Sequence, residues 1–581
     1  MKSSAQSNPS ELSAAFKKLL SAFYTVAAFS GFLNLLMLSP SLYMLQVYDR
    51  VLGSRNETTL WVLTLLLIGI YVFMGVVEAI RTWVLVRVGA RFDAALNARV
   101  FNASFDRSLR HAGSNAAQPI HDLNTVRQTL TGTALLALFD APWMPIYLVV
   151  IALFSVELAL FALFGALVLG ALALLNEKLS KPKLDEAQHF NAQSQMALTN
   201  YLRNAEVIES MGMLGGMRRR WHDLHQIQIA RQAAASDQAA VMVGLTKFVR
   251  ITMQSLSLGF GALLVLDGKM SPGSMIAASV LVSRALAPVE SLVGNWKQII
   301  TGRAAWSRLN ELLAGHPARQ LGMALPVPSG AIRFEGVTVA APGSPLAIIK
   351  SVGFGIAAGE CVAVIGPSGS GKSTLARLMV GVWPAMAGTV RLDGADLHLW
   401  SKDELGPHLG YLPQDIELFD GTVAENIARF GDVTPRLVIE AAKRAGMHET
   451  ILRMPKGYDT PLGVGGSALS GGQRQRIGIA RALYGDPVLV VLDEPNSNLD
   501  EAGELALAET IKNQSARGKT TVLITHRMSA LASAKKILVL VEGTIKAYGP
   551  RDEVLAAMRG QPNAPSENPN TLVLRPGATH G

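Results

Sequence analysis

The residues best suited to chemistry stand in a glycine-rich segment in the second half of the chain. From Val362 to Thr374 it reads V-A-V-I-G-P-S-G-S-G-K-S-T. The apolar run before the glycines predicts a buried strand, and the residues after them predict a helix. Such a loop binds phosphates, because its backbone N–H groups and the helix dipole face the anion. The predicted nucleotide ligands of this segment are Gly366, Ser368, Gly369, Gly371, Lys372, Ser373 and Thr374.

Two further motifs follow the glycine-rich segment in the sequence. Leu469–Gln473 reads L-S-G-G-Q and precedes a helical run, and Val488–Glu494 is an apolar strand that ends in two carboxylates. Lys372 is expected to reach the β- and γ-phosphates, and the Ser373 hydroxyl to ligate Mg²⁺. Asp493 is expected to hold the Mg²⁺ through water, while Glu494 polarises the attacking water. The sequence therefore predicts an ATP or GTP hydrolase.

The first half of the chain is apolar enough to cross a membrane. Of the 581 residues 49% are hydrophobic and only 17% are charged. Six apolar runs predict six membrane spans, at residues 23–47, 60–80, 135–156, 158–175, 241–266 and 275–293. A soluble ATPase of DNA repair or translation is strongly disfavoured by these runs.

The positive charge has a membrane explanation. The net charge is +9, which could indicate nucleic-acid binding. However, the arginines and lysines concentrate in two long connections, residues 81–133 and 178–238, which keep helical spacing. The positive-inside rule places these connections, both termini and the nucleotide domain in the cytoplasm. We therefore expect contact with membrane lipids and no nucleic-acid partner.

The sequence divides into five parts. A short polar lead, without a peptidase-like domain or cleavable signal peptide, is followed by a membrane domain, a linker, an α/β domain and a tail expected to be disordered. The predicted boundaries are 1–20, 21–310, 311–330, 331–558 and 559–581. The single cysteine, Cys361, excludes an internal disulfide and is expected to be a small buried residue.

These ordered motifs resemble the ATP-binding-cassette (ABC) family over nearly the whole chain. The resemblance implies an all-α six-helix transmembrane domain of the type I exporter kind, fused to an α/β P-loop nucleotide-binding domain. It implies an ATPase with ATP and Mg²⁺ as cofactors, working as a homodimer with two composite sites. The residues that the resemblance adds are Gln414 as a sensor of Mg²⁺ and water, Ser470, Gly471, Gly472 and Gln473 as ligands of the opposite subunit's nucleotide, Asp500 at the dimer interface, and His526 as the switch histidine.

The sequence departs from the family pattern at two places. Residues 339–343 read V-A-A-P-G, so no aromatic stands near Ala341 to stack on adenine. Val464 stands where exporters commonly have a glutamate before the signature. From the first change we expect base affinity to be either weak or supplied elsewhere, and from the second the loss of the usual acidic contact between this loop and the opposite cytoplasmic helix.

Three segments resemble the transporters of type I protein secretion. They are Leu42–Leu52 (L-Y-M-L-Q-V-Y-D-R-V-L), Phe139–Pro145 (F-D-A-P-W-M-P) and Glu494–Asp500 (E-P-N-S-N-L-D). The resemblance is greatest to exporters of alkaline metalloproteases and lipases, whose cargo carries glycine-rich repeats and an uncleaved C-terminal signal. It implies ATP-driven export of unfolded protein from the bacterial inner membrane, with a periplasmic membrane-fusion adaptor and an outer-membrane tunnel protein. Export of lipids or drugs remains the alternative. Asp140 is expected either to form part of a cargo gate or to cap a helix before Pro142.

Overall fold

The structure is a computed structural model, which describes residues 10–110, 117–318 and 325–558 and the backbone of 572–573, without the side chains of Val464, Met528 and Ser529. The chain forms two compact units, one of residues 1–108 and 113–318, the other of residues 109–112 and 319–581. The predicted lead, linker and tail lie partly outside the described residues, so their boundaries stay predictions.

The first unit is helical throughout its described part. Its helices are α1 (Glu11–Lys18), α2 (Leu20–Leu36), α3 (Ser39–Gln46), α4 (Leu52–Ser54), α5 (Glu57–Arg110), α6 (Gln118–Thr131), α7 (Thr133–Asp140), α8 (Met144–Phe154), α9 (Val156–Arg203), α10 (Ala205–Ser210), α11 (Leu214–Leu266), α12 (Pro272–Gly294) and α13 (Trp296–Gly315). A π-helical turn, Val47–Val51, joins α3 to α4, and a 3₁₀ turn, Ala141–Trp143, joins α7 to α8.

Six helical stretches of the described residues are long and apolar enough to span a membrane. They are Leu20–Ser54, Glu57–Arg110, Gln118–Phe154, Val156–Arg203, Leu214–Leu266 and Pro272–Gly294. Each stretch contains one of the six predicted apolar runs, except that the third run extends two residues beyond Phe154. The third and fourth stretches separate at Ser155, whose hydroxyl caps α9 by accepting from Leu158 N at 3.3 Å. The predicted six-span helical architecture is confirmed.

Three of these helices are much longer than a bilayer is thick. Helices α5, α9 and α11 contain 54, 48 and 53 residues. At 1.5 Å per residue each measures roughly 70–80 Å, whereas the hydrocarbon core of a bilayer is about 30 Å thick. The polar connections around 81–110 and 178–238 are thus mainly continuations of the spans, as their helical spacing predicted.

The second unit is an α/β domain. Its strands are β1 (Ile332–Ala340), β2 (Ala347–Ile356), β3 (Cys361–Ile365), β4 (Ala387–Leu392), β5 (Ala395–Asp396), β6 (Leu409–Leu412), β7 (Leu489–Asp493), β8 (Thr520–Ile524), β9 (Lys536–Val541), β10 (Thr544–Pro550) and β11 (Leu572–Val573). Its helices are α14 (Lys372–Met379), α15 (Lys402–Leu405), α16 (Val423–Ile427), α17 (Pro435–Arg444), α18 (His448–Leu452), α19 (Gly471–Leu483), α20 (Glu501–Ala516), α21 (Met528–Leu531) and α22 (Arg551–Met558).

Two sheets organise this unit. The smaller sheet has the order β2-β1-β4-β5, and the larger has the order β11-β10-β9-β3-β8-β7-β6. Within the larger sheet β9, β3, β8, β7 and β6 run parallel. Strands β3, β7 and β8 are buried at every position, which explains their uninterrupted apolar sequence. Within the predicted tail, Leu572–Val573 pair with β10, and the other residues lie outside the described part.

Candidate nucleotide site

The candidate site lies where three neighbouring parallel strands end. Strand β8 lies between β3 and β7. The glycine-rich loop follows β3, Glu494 follows β7 and His526 lies two residues beyond β8. Parallel strands present their carboxyl ends at one edge, where open α/β sheets bind their ligands. The strand order therefore gathers motifs that are far apart in the sequence.

The loop after β3 adopts a conformation that requires glycine. Gly366 and Gly371 have φ angles of 155° and 101°. A Cβ on Gly366 would lie 2.0 Å from the carbonyl oxygen of Leu540, and one on Gly371 would lie 2.8 Å from Ile349 Cδ1. Helix α14 begins directly afterwards, at Lys372, so its first N–H groups face the loop. These features suit the binding of phosphate.

Lys372 is held inside this loop. Its Nζ donates to the carbonyl oxygens of Gly366 at 2.9 Å and Pro367 at 2.8 Å. Burial lowers the pKa of Lys372, and the nearby carboxylates of Glu494 and Asp493 oppose that shift. Ser368 and Gly369 lie exposed at the tip of the loop, and Thr374 is buried in α14. The ammonium group is thus positioned within the cradle that the backbone forms.

Asp493 has the features of a metal ligand. Its side chain is buried, and both carboxylate oxygens lack a hydrogen-bond partner among the described residues. Burial raises the pKa of Asp493. The Ser373 hydroxyl donates to Gln414 Oε1 at 3.5 Å, which brings two neutral oxygen ligands together. Oxygen donors of this kind suit Mg²⁺, so Ser373, Gln414 and Asp493 are the candidate ligands.

Glu494 lies between two other predicted site residues. Its Oε2 accepts from Gln414 Nε2 at 3.4 Å, and its Oε1 lies 3.5 Å from His526 Nε2. The Glu494 backbone has a φ of 49°, an uncommon value for a residue other than glycine. Its N–H donates to Ile524 O at 2.9 Å. The three side chains predicted to act in catalysis therefore lie together, and their individual roles stay predictions.

Gln475 is a site residue that the motif analysis missed. It is buried in α19, and its Nε2 donates to the carbonyl oxygens of Glu494 at 3.1 Å and Pro495 at 2.5 Å. Its Oε1 accepts from Asn498 N at 2.9 Å. Gln475 thus ties the signature helix to the turn that carries Glu494. The available sequence signal was its position at helical spacing from Gly478, Ile479 and Ala482, the buried face of α19.

The signature residues do not join the phosphate loop of their own chain. The Ser470 hydroxyl caps α19 by accepting from Gln473 N at 3.3 Å, and Gln473 Oε1 accepts from Ser470 N at 3.1 Å. A Cβ on Gly472 would lie 2.8 Å from Asn498 O, whereas one on Gly471 would have ordinary contacts. Between 470–473 and 366–374, all of them described, no hydrogen bond or ion pair occurs.

Asp500 has local partners. Its carboxylate caps α20 by accepting from Gly503 N at 3.0 Å, and it lies 3.6 Å from Arg476 Nη2. These contacts join the start of α20 to the signature helix. Within one chain, Asp500 therefore belongs with the signature segment, and its predicted place at a subunit interface stays a prediction.

Family comparison finds two matches in this chain. Residues 18–289 match the model of the ABC transporter transmembrane region, and residues 349–497 match the ABC transporter model. The two matches correspond to the helical unit and the α/β unit.

Individual proteins are similar over nearly the full chain. The type I secretion system ATP-binding protein PrsD of Rhizobium meliloti (strain 1021) is 43% identical over 93% of this chain and 94% of its own length. The alpha-hemolysin translocation ATP-binding protein HlyB of Escherichia coli is 31% identical over 92% of this chain and 76% of its own length. The structure of a bacterial Atm1-family ABC exporter with ATP bound has a TM-score of 0.83 at 23% identity, covering 93% of this chain and 96% of that chain, which shows the shared fold.

Proposed function

The chain belongs to the ABC transporters of type I protein secretion and is a multi-pass membrane ATPase, and from this premise we propose that it exports an unfolded protein across the bacterial inner membrane. The similarity to a type I secretion ATP-binding protein along 93% of the chain is the observation that carries the proposal. The proposed cargo is a secreted protease or lipase with a C-terminal signal. The proposed partners are a periplasmic membrane-fusion adaptor and an outer-membrane tunnel protein.

The proposed ATPase chemistry uses the three side chains at the sheet edge. Glu494 orients and polarises the attacking water, because its carboxylate lies next to Gln414 and His526. Lys372 and the loop backbone bind the phosphates. A Mg²⁺ ion held by Ser373, Gln414 and Asp493 would stabilise charge on the transferring phosphoryl group.

The active unit is proposed to be a homodimer. The signature residues 470–473 make no hydrogen bond or ion pair with the phosphate loop of the same chain, in a part of the chain that is fully described. In the proposed dimer, a nucleotide on one phosphate loop is contacted by the signature residues of the second subunit. Two composite sites result, and closure of the dimer on ATP would alternate with reopening after hydrolysis.

The proposed orientation of the chain in the membrane follows from the distribution of its positive charges. The helices that extend beyond the apolar runs carry most of the arginine and lysine residues of the membrane domain, and such residues remain on the cytoplasmic side. The nucleotide domain is accordingly placed in the cytoplasm.

Secretion from a reconstituted system tests this function. The chain is co-expressed with its adaptor, its tunnel protein and a repeat-rich protease encoded nearby. Secretion should require Lys372, Glu494 and the C-terminal segment of the protease, and should persist in a matched Glu501→Gln variant, which alters an exposed carboxylate outside the cluster. Secretion that continues with Lys372→Ala or without the C-terminal segment would refute the proposal.

Stimulation of the purified ATPase separates protein export from the alternative. A peptide carrying the secretion signal should stimulate ATP hydrolysis in proteoliposomes. Stimulation by lipids or drugs, combined with no response to the peptide, would indicate a transporter of small amphiphiles instead.

A further inference from the structure

A polar cluster joins the first three spans where α5 leaves its apolar run. Its members are Ser30, Asn34, Glu78, Arg81, Asp140 and Tyr147. Arg81 directly follows the second apolar run and is only 6% exposed. Asp140 lies inside the third apolar run, and charged groups inside spans are expensive, usually paired and commonly functional. This cluster therefore needs an explanation beyond packing.

The guanidinium group of Arg81 forms ion pairs with two carboxylates. Its Nη1 donates to Asp140 Oδ1 at 3.0 Å and to Ser30 Oγ at 2.8 Å. Its Nη2 donates to Glu78 Oε1 at 2.8 Å, one turn earlier on the same helix. The pair with Glu78 remains within α5, whereas the pair with Asp140 joins two spans.

Asp140 has a second donor from another span. Asn34 Nδ2 donates to the same Oδ1 atom at 3.1 Å. Asn34 is held in turn by Tyr147, whose hydroxyl donates to the Asn34 carbonyl oxygen at 2.9 Å. Asp140 makes no side-chain helix cap, so the capping role considered from its sequence position before Pro142 is wrong. Its carboxylate connects spans instead.

Asp140 lies at a break in the third span. Helix α7 ends at Asp140, the 3₁₀ turn contains Pro142, and α8 begins at Met144 followed by Pro145. Proline lacks the N–H that a continuous helix needs, so prolines mark the places where helices bend. The turn packs closely on the first span, because a Cβ on Gly31 would lie 2.2 Å from Trp143 Cζ2.

We propose that the contact between Arg81 and Asp140 is a latch that opens during the ATP cycle and lets the third span bend at this break. When the latch opens, Arg81 retains its ion pair with Glu78. Asp140 retains its hydrogen bond with Asn34. Arg81 then still has a carboxylate partner, and Asp140 still has the hydrogen bond from the Asn34 amide in a side chain that is 28% exposed, which lowers the cost of separating the two charges. Arg81 and Asp140 are thus positioning residues. The inference rests on the proposed function only in requiring an ATP-driven conformational cycle.

Basal ATP hydrolysis by the full-length protein in proteoliposomes, without cargo, tests the latch. Asp140→Asn keeps the side-chain shape but weakens the attraction to Arg81, so basal turnover should rise about threefold. Glu78→Gln removes the partner that Arg81 keeps on opening, so basal turnover should fall about threefold. If the contact between Arg81 and Asp140 only stabilised the fold, the two variants would not change basal turnover in opposite directions. Equal turnover in both variants, or changes in the same direction, would overturn the proposal.

A distance measurement is the second test of the latch. Spin labels are placed at Trp83→Cys and Leu138→Cys, two exposed positions near Arg81 and Asp140, in a Cys361→Ala background. A second, longer distance should appear when ATP and Mg²⁺ are added, and in Asp140→Asn protein it should appear without them. An identical distance distribution in every condition would overturn the proposal. Neither measurement needs a cargo, so a failure of protein secretion would leave the result interpretable.

Discussion

The side-chain amide of Gln475 lies 3.1 Å from the backbone carbonyl oxygen of Glu494. Glu494 has a left-handed backbone with a φ of 49°, and a strained residue keeps such a conformation only when its surroundings fix it. Gln475 holds the carbonyl while Ile524 accepts from the N–H. The helix that begins with the signature therefore controls the direction of the candidate catalytic carboxylate.

Gln475→Leu should slow ATP hydrolysis about tenfold, because buried carbonyls would lose their donor and the turn at Glu494 would relax. The measurement is kcat of the purified protein, with thermal unfolding recorded alongside. Gln514→Leu is the matched control, since Gln514 is also a buried helical glutamine, in α20. A kcat for Gln475→Leu equal to that of the control would contradict the positioning role.

Glu494→Gln should reduce turnover by about 10²–10⁴-fold, the usual contribution of a general base. The amide keeps the size of the side chain, so nucleotide binding should survive. Steady-state ATPase assays and binding of a fluorescent ATP analogue measure the two effects separately. Undiminished turnover would remove Glu494 from the mechanism.

Gly273→Ala should lower the thermal unfolding temperature, because a Cβ there would lie 2.5 Å from Asp49 Oδ1. Asp49 accepts from Gly273 N at 2.7 Å at the start of α12, and loss of such a helix-capping contact costs about 1 kcal/mol. The control is Gly294→Ala, at the other end of α12, where a Cβ would meet nothing within 4 Å.

The same pair gives a test of additivity. In an Asp49→Ala background, Gly273→Ala should cost much less, since the two changes disrupt one contact. Unfolding is followed in detergent for the four combinations. Fully additive losses would show that the close approach of Asp49 to Gly273 contributes little.

Cys361 should resist thiol reagents in the folded protein. Burial raises the pKa of its thiol to about 11, so almost no thiolate is present near neutral pH. Because the folded thiol ionises less readily than the unfolded one, its contribution to stability is complete below the ordinary thiol pKa and is lost as the pH rises towards about 11. Maleimide labelling at pH 7.5 should be slow in native protein and rapid in denaturant. Rapid labelling of the native protein would show that the β3 region opens easily.

The sequence by itself determined the chemical class of the protein and its two-part architecture. The glycines of the phosphate loop, the buried strand ending in Asp493 and Glu494, and the apolar runs are local patterns. Each pattern has its own physical requirement, such as positive φ, burial on both faces of a sheet, or sufficient length to cross a bilayer. The order of these motifs then identified the family.

Only the tertiary structure decided which distant side chains meet. Gln475 and Glu494 are 19 residues apart, Arg81 and Asp140 are 59 apart, and Asp49 and Gly273 are 224 apart. Their contacts depend on strand order and on the packing of spans, which set the distance between elements but leave no periodic signal in either segment. For the same reason the break at Asp140 could be recognised from its prolines, whereas the partners of its carboxylate could not.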